Sequence, residues 1–161
     1  LAKAYGIRAI GTAGTEEGLE LIRQQGALAS FNHNSPGYLE QITRLTEGQG
    51  IDVILEMLAN VNLQNDLEML AKFGRVMVIG NRGSIEINPR AIMGKNATVL
   101  GMTLFNVVDE QFQTMHAAIG AGLANGSLRP VIKATLPLAE AAKAHELVMQ
   151  PGAAGKIILN P

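Results

Sequence analysis

Hydrophobic and polar residues follow two alternating patterns along most of this chain. Short apolar runs, such as residues 51–56 and 75–79, each follow a glycine and are typical of strands buried in a parallel sheet. Between such runs, apolar residues recur at helical spacing, as at Leu19 and Ile22. Because strands and helices alternate in this way, the sequence predicts an α/β fold with a doubly wound, Rossmann-like parallel sheet.

The first residues have the pattern of a helix end. Gly6 stands where a helix C-terminal glycine belongs, because glycine takes the left-handed conformation without strain. Residues 7–11 follow as a predicted strand. In a nucleotide-binding sheet of this type, a strand and a glycine-rich turn precede the first helix. We therefore expect the sheet to lack its first strand and the turn that grips a pyrophosphate, leaving inner strand edges at Ile7 and Ile51 unpaired.

The remaining elements follow in regular order. Thr15 predicts a helix N-cap, followed by two acidic residues that favour the helix dipole. Gly26 predicts the end of that helix. Further strands are predicted at residues 29–32, 51–56, 75–79 and 97–103. Further helices are predicted from Ser35 onward and over residues 61–72 and 110–123, the last with Phe112, Met115 and Ile119 facing inward.

The composition of the chain shifts near residues 125–127. An alanine-rich helix at 138–149 and a closing strand at 156–159 follow. We interpret residues 1–126 as a partial nucleotide-binding domain and residues 127–161 as a return segment that leaves the parallel sheet toward a neighbouring domain. The alternative is a final strand–helix–strand unit of the same sheet.

Composition and charge exclude several classes of function. The 161 residues are 47% hydrophobic and 17% charged, which indicates about one globular domain. A net charge of −1 gives no electrostatic case for nucleic acid or an anionic membrane. The chain has no cysteine, and His33, His116 and His145 are far apart in sequence, so little supports a metal site. No apolar run is long enough to predict a transmembrane helix, and no signal peptide is apparent.

The first candidate site follows the first predicted strand. Ligands of open parallel sheets bind outside the carboxyl ends of the strands, where NAD-binding proteins use an acid to hold the ribose. Residues 11–15 contain no acid, so a 2′-phosphate would be tolerated on the N–H groups of Gly14 and Thr15 and on the threonine hydroxyl. This favours NADP over NAD, provided that Glu16 and Glu17 face solvent. An ordinary helix cap is the alternative.

Two further strand ends offer polar groups. His33 follows the strand at 29–32 and either contacts an adenosine 2′-phosphate or is simply solvated. Residues 56–60 are mostly small or apolar, which would let a dinucleotide pass close to the backbone. Glu56 is either catalytic or an acceptor for loop amides.

The fourth and fifth strand ends complete the candidate surface. Gly80 and Gly83 flank Asn81 and Arg82, which indicates close backbone approach to a ligand or a plain turn. Residues 102–106 either wall a nicotinamide ring or place Phe105 in the core. No nucleophile stands beside a base, and no paired carboxylates or histidine box are apparent. We therefore expect a reaction in which a cofactor does the chemistry.

Long consecutive segments of this chain resemble one known family. They include GTAGTEEG at 11–18, GIDVILEMLANVN at 50–62 and GRVMVIGNRG at 74–83, with shorter matches at 31–33, 85–90, 137–138, 144–146 and 155–159. These residues are similar to the zeta-crystallins, NADPH:quinone oxidoreductases in the zinc-free branch of the medium-chain dehydrogenase/reductase superfamily. The resemblance covers nearly the whole chain.

The resemblance implies a two-domain cytoplasmic enzyme. Members have a GroES-like barrel and a Rossmann domain, and their tail returns to the barrel; here the barrel is expected before Leu1. They pass electrons from NADPH to quinones without zinc and tend to form homodimers and homotetramers, for which the edge strand at 98–103 is a candidate. The same cofactor half would also suit a reductase of other activated carbonyls or enones. A non-catalytic crystallin or AU-rich RNA-binding role follows from the resemblance alone. Activity is expected of the parent protein and not of this piece by itself.

The resemblance also assigns cofactor-binding roles and no catalytic residue. Relatives often carry arginine where this chain has Asn34, and some carry lysine in place of Gly18. Both departures remove positive charge from the adenosine end. The implied NADPH-binding residues are Gly14, Thr15 and His33 at the adenosine phosphate, Asn60 along the cofactor, Gly80, Asn81 and Arg82 near its middle and nicotinamide side, Leu104 and Phe105 at the carboxamide, and Lys156, which would reach back toward the cofactor.

Overall fold

The computed structural model describes residues 1–150, 152 and 154–161. Every strand pairing that it contains is parallel, and helices separate the strands along the chain. The predicted class, α/β with parallel sheets, is confirmed. Contacts divide the chain into two compact units, Leu1–Tyr38 with Gln113–Pro161, and Leu39–Phe112. The boundary that we drew between residues 126 and 127 stays a prediction.

The first unit begins with a short 3-10 helix, Ala2–Tyr5, which ends at Gly6 with a left-handed φ of 68°, as predicted. A parallel pair follows, formed by strands β1 (Ile10–Ala13) and β2 (Ala29–Asn32) on either side of helix α1 (Glu16–Gln24). Strand β1 begins later than the predicted Ile7, because β2 offers ladder partners only from Ala29 onward.

The tail of the first unit holds a second parallel pair. Strands β6 (Ile132–Pro137) and β7 (Lys156–Asn160) flank helix α6 (Ala141–Val148). In the described residues this pair forms a sheet of its own, with no ladder to β1 or β2. The tail thus forms a strand–helix–strand unit, and its departure from the parallel sheet toward a neighbouring domain stays a prediction.

The second unit contains a three-stranded parallel sheet in the order β3 (Ile51–Glu56), β4 (Leu70–Val78), β5 (Thr98–Gly101). Helix α3 (Ala59–Met69) and the short helix α4 (Pro89–Met93) connect the strands. The core of this unit is formed by Leu67, Leu70 and Val76, against which partly buried side chains such as Ile54, Leu63 and Ile92 pack. The remaining helices, α2 (Tyr38–Leu45) and α5 (Asp109–Ala124), each contain a boundary between the units.

Three predictions, one about the end of a helix and two about burial, are wrong in this structure. Helix α3 stops at Met69 and not at Lys72, because the Lys95 ammonium donates to the last carbonyl groups, those of Leu67 and Glu68, while Leu70 already pairs in β4. Strand β3 is not covered on both faces, since Leu55 is 67% exposed. Of the three residues expected inward on α5, Met115 alone is half-buried, while Phe112 and Ile119 are exposed.

Candidate functional site

In the first unit, the β1–α1 turn has the geometry of a capped helix start. Thr15 is extended, and its hydroxyl Oγ1 accepts a hydrogen bond from the backbone N of Gly18 at 3.1 Å. Glu16 and Glu17 are both exposed. Their charges therefore face solvent, the condition under which an anion would be tolerated beside this helix N-terminus.

The structure brings Gly14 and His33 together, as expected of neighbouring parallel strands. A Cβ atom on Gly14 would lie 3.0 Å from the His33 Nε2 atom and 2.8 Å from the Asn34 Nδ2 atom. His33 also donates its backbone N–H to the carbonyl of Ala13 at 3.2 Å. Three predicted adenosine-end residues, Gly14, Thr15 and His33, thus occupy one exposed rim at the carboxyl ends of β1 and β2.

Asn34 has a structural role that the sequence did not reveal. Its side-chain amide donates to the carbonyl of Gly14 at 3.3 Å, and its backbone N–H donates to Asn32 Oδ1 at 2.9 Å. Asn34 therefore ties the β2 loop to the β1 loop.

A third loop of the first unit approaches the same turn. A Cβ atom on Gly152 would lie 3.6 Å from the Thr15 methyl carbon Cγ2. The Gly152 carbonyl accepts a hydrogen bond from Lys133 Nζ at 3.1 Å. Gly152 thus has one neighbour in the Thr15 turn and another in the side chain of Lys133 on β6.

The role expected of Lys156 stays a prediction. Lys156 opens strand β7, where its backbone N–H donates to the carbonyl of Val131 at 2.8 Å, and its side chain is exposed. Within the described residues, no hydrogen bond or ion pair joins its ammonium to Gly14, Thr15 or His33.

In the second unit, the ends of β3 and β4 are joined through their backbones. The carbonyl of Glu56 accepts from the N–H groups of Ile79 at 2.8 Å and Gly80 at 3.2 Å, and the carbonyl of Gly80 accepts from Ala59 N at 3.0 Å. A Cβ atom at residue 80 would lie 2.9 Å from the carbonyl carbon of Met57 and overlap its oxygen. The backbone of Gly80 therefore lies close to the neighbouring strand end, and its predicted approach to a ligand stays a prediction.

Asn60, Asn81 and Arg82 cluster beside this junction. The Asn60 Oδ1 atom accepts from the backbone N of Arg82 at 2.9 Å, and the Asn81 side chain donates to the Gly83 carbonyl at 2.7 Å. The Arg82 side chain is exposed, and among the described residues its guanidinium forms no ion pair. The cluster thus presents a cation with unused donors at the carboxyl ends of two parallel strands.

Leu104 and Phe105 lie on a 3-10 helix, Leu104–Asn106, directly after β5. Phe105 is 98% exposed, so the alternative that it belongs to the core is wrong. The N–H of Met102 donates to the Val78 carbonyl at 3.1 Å, which sets this helix beside the end of β4. An exposed aromatic ring in this position is available to a ligand.

A pair of buried carboxyl groups corrects the expectation that none would be found. Glu56 is 6% exposed and Asp66 is 4% exposed. Burial, then hydrogen bonding with Glu56 and repulsion by its charge, raises the pKa of Asp66 to about 8. The sequence did hold a signal, because Asp66 falls on the same helical stripe as Leu63, Leu67 and Leu70.

The described part of the chain contains no group of three or more His, Cys, Asp or Glu side chains placed to hold a metal ion. Within the same residues, no helix has the length and apolar character needed to cross a membrane.

Known proteins are similar to this chain over most of its length. Residues 1–121 match the family described as "Zinc-binding dehydrogenase". The chain is 49% identical to quinone oxidoreductase of Homo sapiens over 160 residues, covering 99% of this chain and 49% of that protein. The chain thus spans about half the length of the curated relatives that it matches.

Solved structures share this fold. A crystal structure of an NAD-dependent alcohol dehydrogenase has a TM-score of 0.89 at 26% identity, covering 99% of this chain and 46% of that one. The quinone oxidoreductase of Pseudomonas syringae pv. Tomato DC3000 has a TM-score of 0.86 at 25% identity, covering 99% and 51%. The chain therefore belongs to the zinc-binding dehydrogenase family, in the quinone oxidoreductase branch of the medium-chain dehydrogenase/reductase superfamily.

Proposed function

We propose that this chain is the cofactor-binding part of an NADPH-dependent quinone oxidoreductase. The observation that supports it best is the surface at the carboxyl ends of β3, β4 and β5. There a glycine-only backbone contact at Gly80 and the exposed guanidinium of Arg82 follow β4, and the exposed ring of Phe105 follows β5. Open parallel sheets bind their ligands at such ends.

In the first unit, the rim suits the adenosine phosphate of NADPH. The N–H groups of Gly14 and Thr15 lie at the start of α1, where an anion is stabilised, and His33 is exposed next to them. No acid in residues 11–15 competes for the ribose, which favours NADPH over NADH. Asn34 carries no charge, so the proposed preference for NADPH over NADH rests on the N–H groups of Gly14 and Thr15 and on His33.

In the second unit, the residues suit the remainder of the cofactor. NADPH, when bound, supplies the electrons that reduce the quinone. Asn60, Asn81 and Arg82 would orient it with amide and guanidinium groups, and Leu104 and Phe105 would wall the carboxamide end. Lys156 is proposed to reach the cofactor as well, and no residue of this chain is proposed as a proton donor or nucleophile.

The whole protein is proposed to be a cytoplasmic, zinc-independent enzyme. Residues 127–161 would form the return segment toward a substrate-binding barrel. Strand β5 is an edge of its sheet, with β4 as its one ladder partner in the described residues. Its free edge therefore suits pairing with a second copy in a homodimer or homotetramer.

The test is NADPH binding and oxidation by the full-length protein. Fluorescence titration should give saturable binding of NADPH that is tighter than that of NADH. Absorbance of NADPH should then fall on addition of 9,10-phenanthrenequinone, and faster than with an enone of similar size. Absence of NADPH binding would overturn the proposal. A faster reaction with the enone would keep the cofactor assignment and reassign the substrate.

A further inference from the structure

In the second unit, hydrogen bonds to the Glu56 side chain hold the carboxyl end of β3. One oxygen of Glu56, Oε1, accepts hydrogen bonds from the backbone N of Leu58 and from Asn62 Nδ2, the latter at 3.2 Å. Leu58 is the N-cap residue of α3, and it has no side-chain cap of its own. The buried glutamate therefore supplies the acceptor at this helix start, where a side-chain oxygen usually serves.

The second buried acid of the pair is Asp66. Asp66 lies on α3, and its Oδ2 atom is buried without a hydrogen-bond partner among the described residues. An ionised carboxylate in that environment would lose its hydration and gain no cation, which is costly. A protonated carboxyl group instead has an O–H that can donate to Glu56.

Among the described residues, neither of these acids forms an ion pair with a positive side chain. Elements β3, β4 and α4 pack against α3. The charged group that acts on the Asp66 carboxyl is Glu56. The ammonium of Lys95 is directed to the carbonyl groups of Leu67 and Glu68. The other ionisable side chains on these elements are all exposed: Asp52, Glu68, Lys72, Arg75 and Arg90.

We propose that Asp66 is a positioning residue whose proton holds the Glu56 carboxyl group and, through it, the β3–α3 turn that carries Asn60. Asn60 in turn receives the backbone N–H of Arg82 at 2.9 Å. Loss of the Asp66 proton places two negative charges in one buried site and loosens the turn. For its effect on NADPH this inference rests on the proposed function, whereas its structural part does not.

The experiment follows carboxyl and amide NMR signals of the full-length protein across neutral and alkaline pH. The Asp66 carboxyl should titrate in that range, and the amides of Leu58 and Asn60 should shift with the same midpoint. In Asp66→Asn, which keeps the shape without the charge, that midpoint should disappear from both amides. The matched control is Asp52→Asn, an exposed position on β3, which should keep the wild-type profile.

The pH dependence of the Kd for NADPH provides a second readout of the Asp66 proton. The logarithm of the Kd for NADPH should rise above the midpoint by up to about one per pH unit, the slope of one linked proton. Over the whole pH range, Asp66→Asn should keep the Kd for NADPH that the wild type has at low pH. The inference would be overturned if the amides of Leu58 and Asn60 did not shift with the Asp66 titration. It would also be overturned if the pH profile of the Kd were identical in wild type and Asp66→Asn. If the wild type binds no NADPH at any pH, the proposed function fails, and the NMR titration still decides the role of Asp66.

Discussion

The backbone of Gly80 lies so close to the carbonyl group of Met57 that no side chain fits between them. A Cβ atom at residue 80 would be 2.9 Å from the Met57 carbonyl carbon and would overlap the oxygen. Because the neighbouring atoms belong to the backbone, they cannot move aside as a side chain would. The contact fixes the distance between the ends of β3 and β4, on which Asn60 and Arg82 meet.

Gly80→Ala should therefore lower the free energy of unfolding by about 2 kcal/mol, the usual cost of forcing a methyl group into a filled space. It should also weaken NADPH binding, because the two strand ends must separate. Urea unfolding and fluorescence titration of the full-length protein measure both effects. The control is Gly101→Ala in β5, where a Cβ would meet nothing within 4 Å. Equal stability of the two variants would show that the contact at Gly80 is not a constraint.

Local signals in the sequence predicted local structure well. The bounds of β2 and β3, the cap at Thr15 and the left-handed Gly6 were all anticipated, because each depends on residues close in the chain. The contact of Asn60 with Arg82 and the Glu56–Asp66 pair were not anticipated. They depend on which strands lie side by side and on which helix face is buried, and no single segment contains that information.

Thr15→Ala should remove the side-chain cap of α1 and lower the free energy of unfolding by about 1 kcal/mol. The reason is that the N–H of Gly18 loses its acceptor, Thr15 Oγ1. Thr15→Ser keeps that oxygen and should retain most of the stability. Urea unfolding compares the three proteins. Equal losses in the alanine and serine variants would point to the Thr15 methyl group, which faces Gly152, and away from the cap.

Asn34→Arg should tighten NADPH binding by about two- to fivefold, the value of one exposed charge pair. The added guanidinium would stand beside Gly14 and His33, where the 2′-phosphate is proposed to bind. NADH has no such phosphate, so its Kd should not improve. Asn34→Gln is the uncharged control, and salt should reduce the gain. An equal gain for NADH would place the adenosine phosphate elsewhere.

Phe105→Ala should leave stability within about 0.5 kcal/mol of wild type, because the ring is 98% exposed and packs against little. If the ring walls the nicotinamide end, the Kd for NADPH should nevertheless rise about two- to tenfold, the range for one aromatic contact. Met93→Ala, which removes another exposed apolar side chain of the same unit, should change neither quantity. Unchanged NADPH binding in Phe105→Ala would remove this residue from the proposed site.

Stability should depend on pH in an unusual direction through Asp66. Its pKa is raised to about 8 in the folded chain from 3.8, so the folded state keeps a proton that the unfolded state has released between these values. Stability from this group is therefore complete below about pH 3.8, falls as pH rises from there and levels off above about 8. The slope is at most about 1.4 kcal/mol per pH unit.

Asp66→Asn has no proton to lose, so its stability relative to wild type should increase steadily over the same window. Urea unfolding at a series of pH values between about 5 and 9 measures the difference, from which titrations common to both proteins cancel. Asp52→Asn, at an exposed position of β3, should give a constant difference. A constant difference for Asp66→Asn as well would mean that Asp66 has an ordinary carboxyl pKa despite its burial, and that Glu56 is held at the strand end without the Asp66 proton.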